Sequence, residues 1–297
     1  MRQSRAYVAI VLAIIGVSFA SIFIRWSDSP ALIKAVYRMA FASLFLLPIG
    51  LARFRRETRG LGRRDALVMS AIGVALAIHF ATWISSLDYT SVASSVILVN
   101  SHPLIVALLS HYLLKERVPK VAALGVVLGF AGVLVIAVGD VREGGGLLGD
   151  ALAFVGGVMA AIYILAGRRV RQRVPLVPYV FLVYTFATVV LLAMTVAMGT
   201  ELLPSGDLRR ELLLFLGLAI VSTILGHTLY NWALKYVRAP VISTSLLGEP
   251  VGATFLAFLL LAETPSATDL GGGLLALLGI YITARGIGIP RSSEPSG

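Results

Sequence analysis

The sequence predicts an all-α integral membrane protein of about ten transmembrane helices, arranged as two inverted repeats of five. Three observations carry that prediction. The 297 residues are 58% hydrophobic and only 13% charged, with a mean hydropathy of +0.91, whereas a soluble domain carries about 25% charged residues. Ten apolar runs approach the roughly 20 residues that a helix needs to cross the hydrocarbon core. A shift of 147 residues lays the fourth and fifth runs on the ninth and tenth without a gap.

The first run, Ala6–Ile24, follows Arg2 and Arg5. It is too long for the core of a signal peptide, and Trp26 follows it where a small-residue cleavage site would stand. The break Asp28-Ser29-Pro30 opens the second, Ala31–Ala52, which carries Lys34 and Arg38. Ala66–Leu87, Ser91–Leu114 and Val118–Gly139 complete the first half. The glycines after Glu143 then separate a first repeat, 1–143, from a second, 144–297. The second holds Leu147–Gly167, Val177–Met198, Leu212–Leu234, Val241–Leu261 and Leu270–Ile287, with Pro204-Ser205-Gly206-Asp207 as a turn between two of them. The gaps between runs leave no room for a soluble domain.

The formal net charge of +10 could indicate a nucleic-acid surface, but the basic residues sit in short clusters between apolar runs. Arg53, Arg55, Arg56, Arg59, Arg63 and Arg64 form one such cluster. That spacing is topogenic, so no nucleic-acid partner is expected. With the N-terminus inside, the inside segments hold 19 Lys and Arg and the outside segments four: Arg25, Arg142, Arg209 and Arg210. The inside set adds Arg2, Arg5, Lys115, Arg117, Lys120, Arg168, Arg169, Arg171, Arg173, Lys235, Arg238, Arg285 and Arg291 to the arginine cluster. Both termini are therefore expected on the cytoplasmic side of a bacterial or archaeal inner membrane. The absence of cysteine excludes disulfides, thiolate metal sites and cysteine nucleophiles.

Under the 147-residue shift Leu87 meets Leu234, Tyr89 meets Tyr236, Pro103 meets Pro250, Leu114 meets Leu261 and Glu116 meets Glu263. Gly125, Leu128 and Gly132 meet Gly272, Leu275 and Gly279. Five helices per copy is an odd number, so the second copy enters from the opposite side, as in secondary transporters with inverted repeats. The tract Leu87-Asp88-Tyr89-Thr90, then Pro103, Glu116 and a glycine-rich helix, resembles the repeat of EamA-type proteins of the drug/metabolite transporter superfamily. Leu234-Lys235-Tyr236, Pro250, Glu263 and Gly272 to Gly279 resemble it a second time, and Pro30 followed by Arg38 is similar to the pattern of the first repeat. The resemblance implies ten helices and export of amino acids or related metabolites. It has no counterpart of Arg38 in the seventh helix, where Tyr184 lies nearby.

Polar residues inside the apolar runs mark the candidate site, because a charge at mid-membrane costs about 2.5–3.5 kcal/mol on insertion scales. Asn100-Ser101-His102-Pro103 and Gly248-Glu249-Pro250 fall at matching depth. Each proline is expected to break its helix and free the carbonyl four residues back, on Val99 and Leu246. His79 and Trp83 share a helix face, as do His227 and Asn231 with Tyr230 beside them; Tyr163 is a single aromatic. The expected substrate-binding set is His79, Trp83, Asn100, His102, Tyr163, His227, Asn231 and Glu249. The bland alternative for each is a helix-to-helix hydrogen bond, an interfacial aromatic or a kink. Lys34 can snorkel outward, but Arg38 is too deep and needs an acid, carbonyls or an anionic substrate. Glu249 is its simplest acidic partner. A mid-membrane carboxyl can also carry protons, which makes protons a candidate coupling partner. Gly125, Gly129, Gly132, Gly156, Gly157, Gly272 and Gly279 read as close helix packing.

A transporter of a small molecule, embedded in lipid and needing no cofactor or metal, is the leading reading. A flippase or scaffold on the same fold is the near alternative, since fold does not fix cargo. An intramembrane enzyme is disfavoured, because the sequence has no HExxH, GxSxG or paired carboxylates, and His79, His102, His111 and His227 lack metal-ligand spacing.

Overall fold

The structure, a computed structural model, describes residues 2–57, 62–106, 109, 119–142, 146–236, 245–246 and 248–288. Arg59, His111, Lys115, Glu116, Arg117, Arg238 and Arg291 lie outside them, as does the 143/144 repeat boundary. The described residues form helices joined by turns and irregular segments, with no strand among them. Among the described residues six helices are long and apolar enough to cross a membrane: α1 (Arg5–Trp26), α2 (Ala31–Arg53), α3 (Arg63–Ser86), α6 (Leu147–Arg171), α7 (Leu176–Ala197) and α8 (Leu208–Ala233). Four shorter apolar helices complete a set of ten: α4 (Val92–Val106), α5 (Lys120–Ile136), α9 (Gly248–Leu261) and α10 (Ala267–Thr283). Helices satisfy every backbone hydrogen bond within the segment, which lipid demands. Exposed apolar side chains such as Leu44, Phe45, Val127, Leu134, Val251, Phe255 and Leu274 face outward on these helices, as lipid contact requires. The protein is thus a multi-pass, all-α membrane protein.

The helices pair in a regular way. α5 packs on α10, α2 on α7 and α4 on α9. Most of the remaining principal pairs come in twos: α1–α8 with α3–α6, α1–α9 with α4–α6, and α2–α8 with α3–α7. Exchanging helix n with helix n+5 converts each of these pairings into another or into itself, whereas the α2–α3 contact has no counterpart of similar extent among the described residues.

The α5–α10 seam is built on glycine. A Cβ on Gly279 would lie 2.2 Å from the Gly129 nitrogen, and one on Gly132 2.4 Å from the Ala276 nitrogen. Gly125 faces Gly279 and Thr283, Gly132 faces Gly272 and Ala276, and Gly139 faces Thr268. One number rises as the other falls, so the two helices are antiparallel. Backbones this close leave no room for a side chain, as in other small-residue membrane contacts. Thr283 adds hydroxyl bonds to Gly279 O, 2.8 Å, and Ala122 O, 3.3 Å.

Polar contacts concentrate at the two ends of the bundle. At one end the α1–α2 turn docks on the start of α8. The Glu211 carboxylate, fully buried, accepts from Ser27 Oγ at 2.5 Å, Ser29 Oγ at 2.6 Å and the Asp28 N–H at 2.9 Å. Arg210 bridges to Asp28 at 3.0 Å. Lys34, expected to snorkel, is instead buried. At the other end Arg173 meets Asp65 at 3.3 Å, and Arg171 donates through Nε to Asn231 O at 3.2 Å.

Candidate functional site

Two interruptions of regular helix lie in the middle of the bundle. In α4 the α-helical pattern lapses into a turn at Asn100 and Ser101. Pro103 has no N–H for the Val99 carbonyl, and His102 Nδ1 supplies the missing bond at 3.3 Å. The α9 expectation needs correction. Leu246 O is not free, because the Glu249 N–H donates to it at 2.9 Å. Helix α9 begins at Gly248, so Pro250 sits in its first turn, where no intrahelical N–H is needed. The helix break therefore precedes Glu249 and does not follow from a mid-helix proline.

A third irregularity is in α8, whose stretch Leu218–Thr228 is π-helical. The hydroxyls of Thr223 and Thr228 donate five residues back, to Leu218 O at 3.0 Å and Thr223 O at 3.2 Å. π-Helical turns are rare and concentrate at functional sites.

These breaks surround a cavity of about 40 Å³ lined by Val17, His79, Trp83, Val99, Asn100, His102, Ala160, Tyr163, Ile164, His227, Tyr230, Leu246 and Glu249. Seven of the eight residues expected to bind substrate line it. Six helices contribute, α1, α3, α4, α6, α8 and α9, so the cavity lies between the two halves of the chain. A volume of that size admits only a few water molecules.

The aromatic wall is continuous. The His79 and Trp83 rings stack at 6.0 Å with 10° between their planes. The His227 ring lies 6.3 Å from His79 and 6.4 Å from Tyr163. His79 Nδ1–H donates to Gly156 O at 2.9 Å, a contact made possible by the close approach of α3 and α6 at Gly156. Tyr230 OH and His227 Nδ1 are hydrogen-bonded at 2.6 Å. Asn231 does not line the cavity. It is fully buried and donates to Tyr163 OH at 2.6 Å, which holds that ring from behind, and to the backbone carbonyl of His227 one turn earlier at 2.7 Å. The Asn100 amide donates to Val96 O at 3.0 Å, and its side chain neighbours the Glu249 carboxyl.

Arg38 lies one aromatic ring behind this wall. It is fully buried, its Cζ 4.1 Å above the Phe80 ring and 5.9 Å from that of Trp83. Nε donates to Thr223 Oγ1 at 2.9 Å, on the π-helical stretch. Nη1 and Nη2 have no hydrogen-bond partner among the described residues. The expected Arg38–Glu249 bond is therefore not made: Glu249 acts on Arg38 through its charge but does not reach the guanidinium fork. Cavity-lining Trp83 Nε1 and His102 Nε2 are likewise unpartnered. Buried polar atoms are nearly always bonded, so these four nitrogens stand out among the described residues.

Sequence reasoning missed the supports Thr223 and Phe80. Both were in principle visible, since Phe80 neighbours His79 and Thr223 lies one turn before His227. The periodicity of a regular helix gives no hint of the π-helical stretch that aims Thr223 at Arg38.

Comparison with known proteins gives a consistent result. The model of the EamA-like transporter family matches twice, over residues 4–138 and 147–285. An uncharacterized transporter of Archaeoglobus fulgidus is 26% identical over 288 residues, covering 96% of this chain and 97% of that protein. The uncharacterized transporter YyaM of Bacillus subtilis is 27% identical over 239 residues, covering 77% of this chain and 76% of that one. A solved crystal structure, 21% identical, superposes with a TM-score of 0.65 over 95% of this chain and 97% of that one, which speaks to the fold alone.

Proposed function

The chain belongs to the EamA-like transporter family, and from that premise we propose that it is a secondary transporter that exports a small metabolite, an amino acid or related compound, by alternating access about the cavity between α1, α3, α4, α6, α8 and α9. The observation that carries this reading is the buried Arg38 guanidinium with two unpartnered nitrogens, set behind an aromatic wall with the half-buried Glu249 carboxyl opening into the same cavity. An unpaired guanidinium in a membrane interior is costly, and such groups mark substrate and ion pathways. A cationic group of the cargo would face Glu249 between the rings of Trp83, Tyr163 and His227, and an anionic group would reach Arg38 once the Phe80 and Trp83 rings that screen it move aside.

The pairing of helix n with helix n+5 supports two inverted repeats, 1–143 and 144–297, with the binding site at their interface. The asymmetry of basic residues supports cytoplasmic termini in an inner membrane. Protons, exchanged at Glu249, are the proposed coupling partner.

Counterflow in proteoliposomes tests the proposal. A panel of amino acids and metabolites is first screened by thermal shift of the purified protein, since a ligand that binds the folded state raises its melting temperature. Internal unlabelled ligand should then drive uptake of labelled ligand. A stabilising ligand that shows no counterflow would leave a scaffold, and movement of labelled phospholipid alone would leave a flippase.

A further inference from the structure

We propose that Arg25 and Arg168 are the two gate residues of the transport cycle, one at each end of the bundle, and that both gates are shut in this structure. The inference rests on the alternating-access reading above, but its test does not require the substrate to be known.

At one end Arg25, on the last turn of α1, donates through Nη2 to the Thr90 carbonyl at 2.9 Å, just beyond the end of α3. The same nitrogen meets Glu263 Oε1 at 3.3 Å, and that oxygen also accepts the Val92 N–H at the start of α4, 3.0 Å. One guanidinium thus ties α1 to the α3–α4 corner and to the residues that follow α9. At the opposite end Arg168, near the end of α6, donates through Nη1 to the Leu234 carbonyl at the end of α8. Arg171 reinforces the contact by donating to Asn231 O, one turn earlier on α8.

The two clamps are counterparts. In each, an arginine at the end of a repeat's first helix captures a main-chain carbonyl that follows its third. Leu234 directly follows α8, where helix-end carbonyls carry partial negative charge, and Thr90 is a loop carbonyl four residues beyond α3. The 147-residue shift carries Arg25 to position 172 and Thr90 to position 237. The observed residues, Arg168 and Leu234, are displaced from those positions by four and three residues, about one helical turn each and in the same direction.

The helices the clamps join are those that wall the cavity. α1, α3, α4 and α9 hold Val17, His79, Trp83, Asn100, His102 and Glu249; α6 and α8 hold Tyr163, His227 and Tyr230. Opening the cavity towards the Arg25 end requires α1 to leave α3, α4 and α9, which breaks the Arg25 contacts. Opening towards the other end requires α6 to part from α8, which breaks the Arg168 contact. The cavity of about 40 Å³ fits a state with both clamps made.

The test uses the absence of cysteine from the natural chain. Ala160→Cys places one thiol at the cavity wall. Labelling by an impermeant maleimide is followed in right-side-out and inside-out vesicles. Arg25→Gln should raise the labelling rate from one side of the membrane by about two- to fivefold, the population change expected on losing a partly exposed charged contact. Arg168→Gln should raise it from the opposite side. Arg25→Lys and Arg168→Lys replace any Gln variant that fails to elute as a folded species, with a smaller gain expected on the same side. Gains on opposite sides support the proposal whichever way the chain is inserted. Gains on the same side, or no change in either variant, overturn it. Labelling with this two-sided pattern but without counterflow of any ligand would refute the transport reading and leave the gates intact.

Discussion

Replacing Arg38 by methionine keeps a flexible, unbranched apolar stem and removes the guanidinium and its charge, and the structure sets what that should cost. The variant loses the Nε bond to Thr223, 2.9 Å, and the stacking of Cζ on Phe80, 4.1 Å. A hydrogen bond from a charged group contributes about 1.5–3 kcal/mol, and a desolvated cation–π contact up to about 2 kcal/mol. Against this, burial of the charge, about 2.5–3.5 kcal/mol on insertion scales, is no longer required. The terms nearly cancel, so folded stability should change by no more than about 2.5 kcal/mol in either direction. A guanidinium that served only as half of a buried ion pair would behave differently, because removing one partner costs about 3–5 kcal/mol. Transport should fall far more than stability. Loss of a charge-assisted bond to an anionic cargo group, about 1.5–3 kcal/mol, lowers kcat/KM by about 10- to 150-fold. The assay pairs thermal melting of the purified variant with uptake into proteoliposomes, using the stabilising ligand found for the wild type. A methionine variant that transports at the wild-type rate, or one that melts as a broken ion pair would, refutes the argument that Arg38 is held open for the cargo.

Glu249→Gln keeps the shape of the Asn100 contact and removes titration. Proton coupling predicts loss of gradient-driven transport with equilibrium exchange retained, binding of a cationic group predicts loss of both, and wild-type rate with unchanged pH dependence sinks both roles. Gly279→Ala puts a Cβ 2.2 Å from the Gly129 nitrogen and should destabilise by about 1–3 kcal/mol; Gly271→Ala, with nothing within 4 Å, should be neutral or slightly stabilising, and equal melting of the two would contradict the close α5–α10 approach. For orientation, a cysteine replacing the exposed Ser205 should react with impermeant reagent in intact cells, whereas one replacing Thr58, which lies outside the described residues, should be protected; the reverse pattern inverts the topology.

How much of this was legible in the sequence follows from which forces are local. The helical fold, the ten apolar helices and the membrane setting were, because lipid imposes one rule on every segment: enough apolar residues and every backbone group bonded within the helix. The glycines of α5 and α10 were legible as packing residues for the same reason, since absence of a side chain is itself the message. The polar site was half legible. Scarcity alone singled out His79, Trp83, Asn100, His102, Tyr163, His227 and Glu249, and these seven share one cavity. Asn231 went astray because helical spacing assigns a face only in regular helix, and a π-helical stretch immediately precedes its own short turn. The partner of Arg38 was beyond reach for a different reason. Charge complementarity nominated Glu249, but a guanidinium bonds where its fork is aimed, and α2 and α8 together aim it at Thr223 and the Phe80 ring. The clamps of Arg25 and Arg168 bond to main-chain carbonyls, which every residue carries alike. Composition and periodicity therefore fixed which residues lie in the membrane and which of them are too polar to be idle, while the crossing of helices distant in the chain decided which of those residues meet, because that geometry depends on contacts no single segment contains.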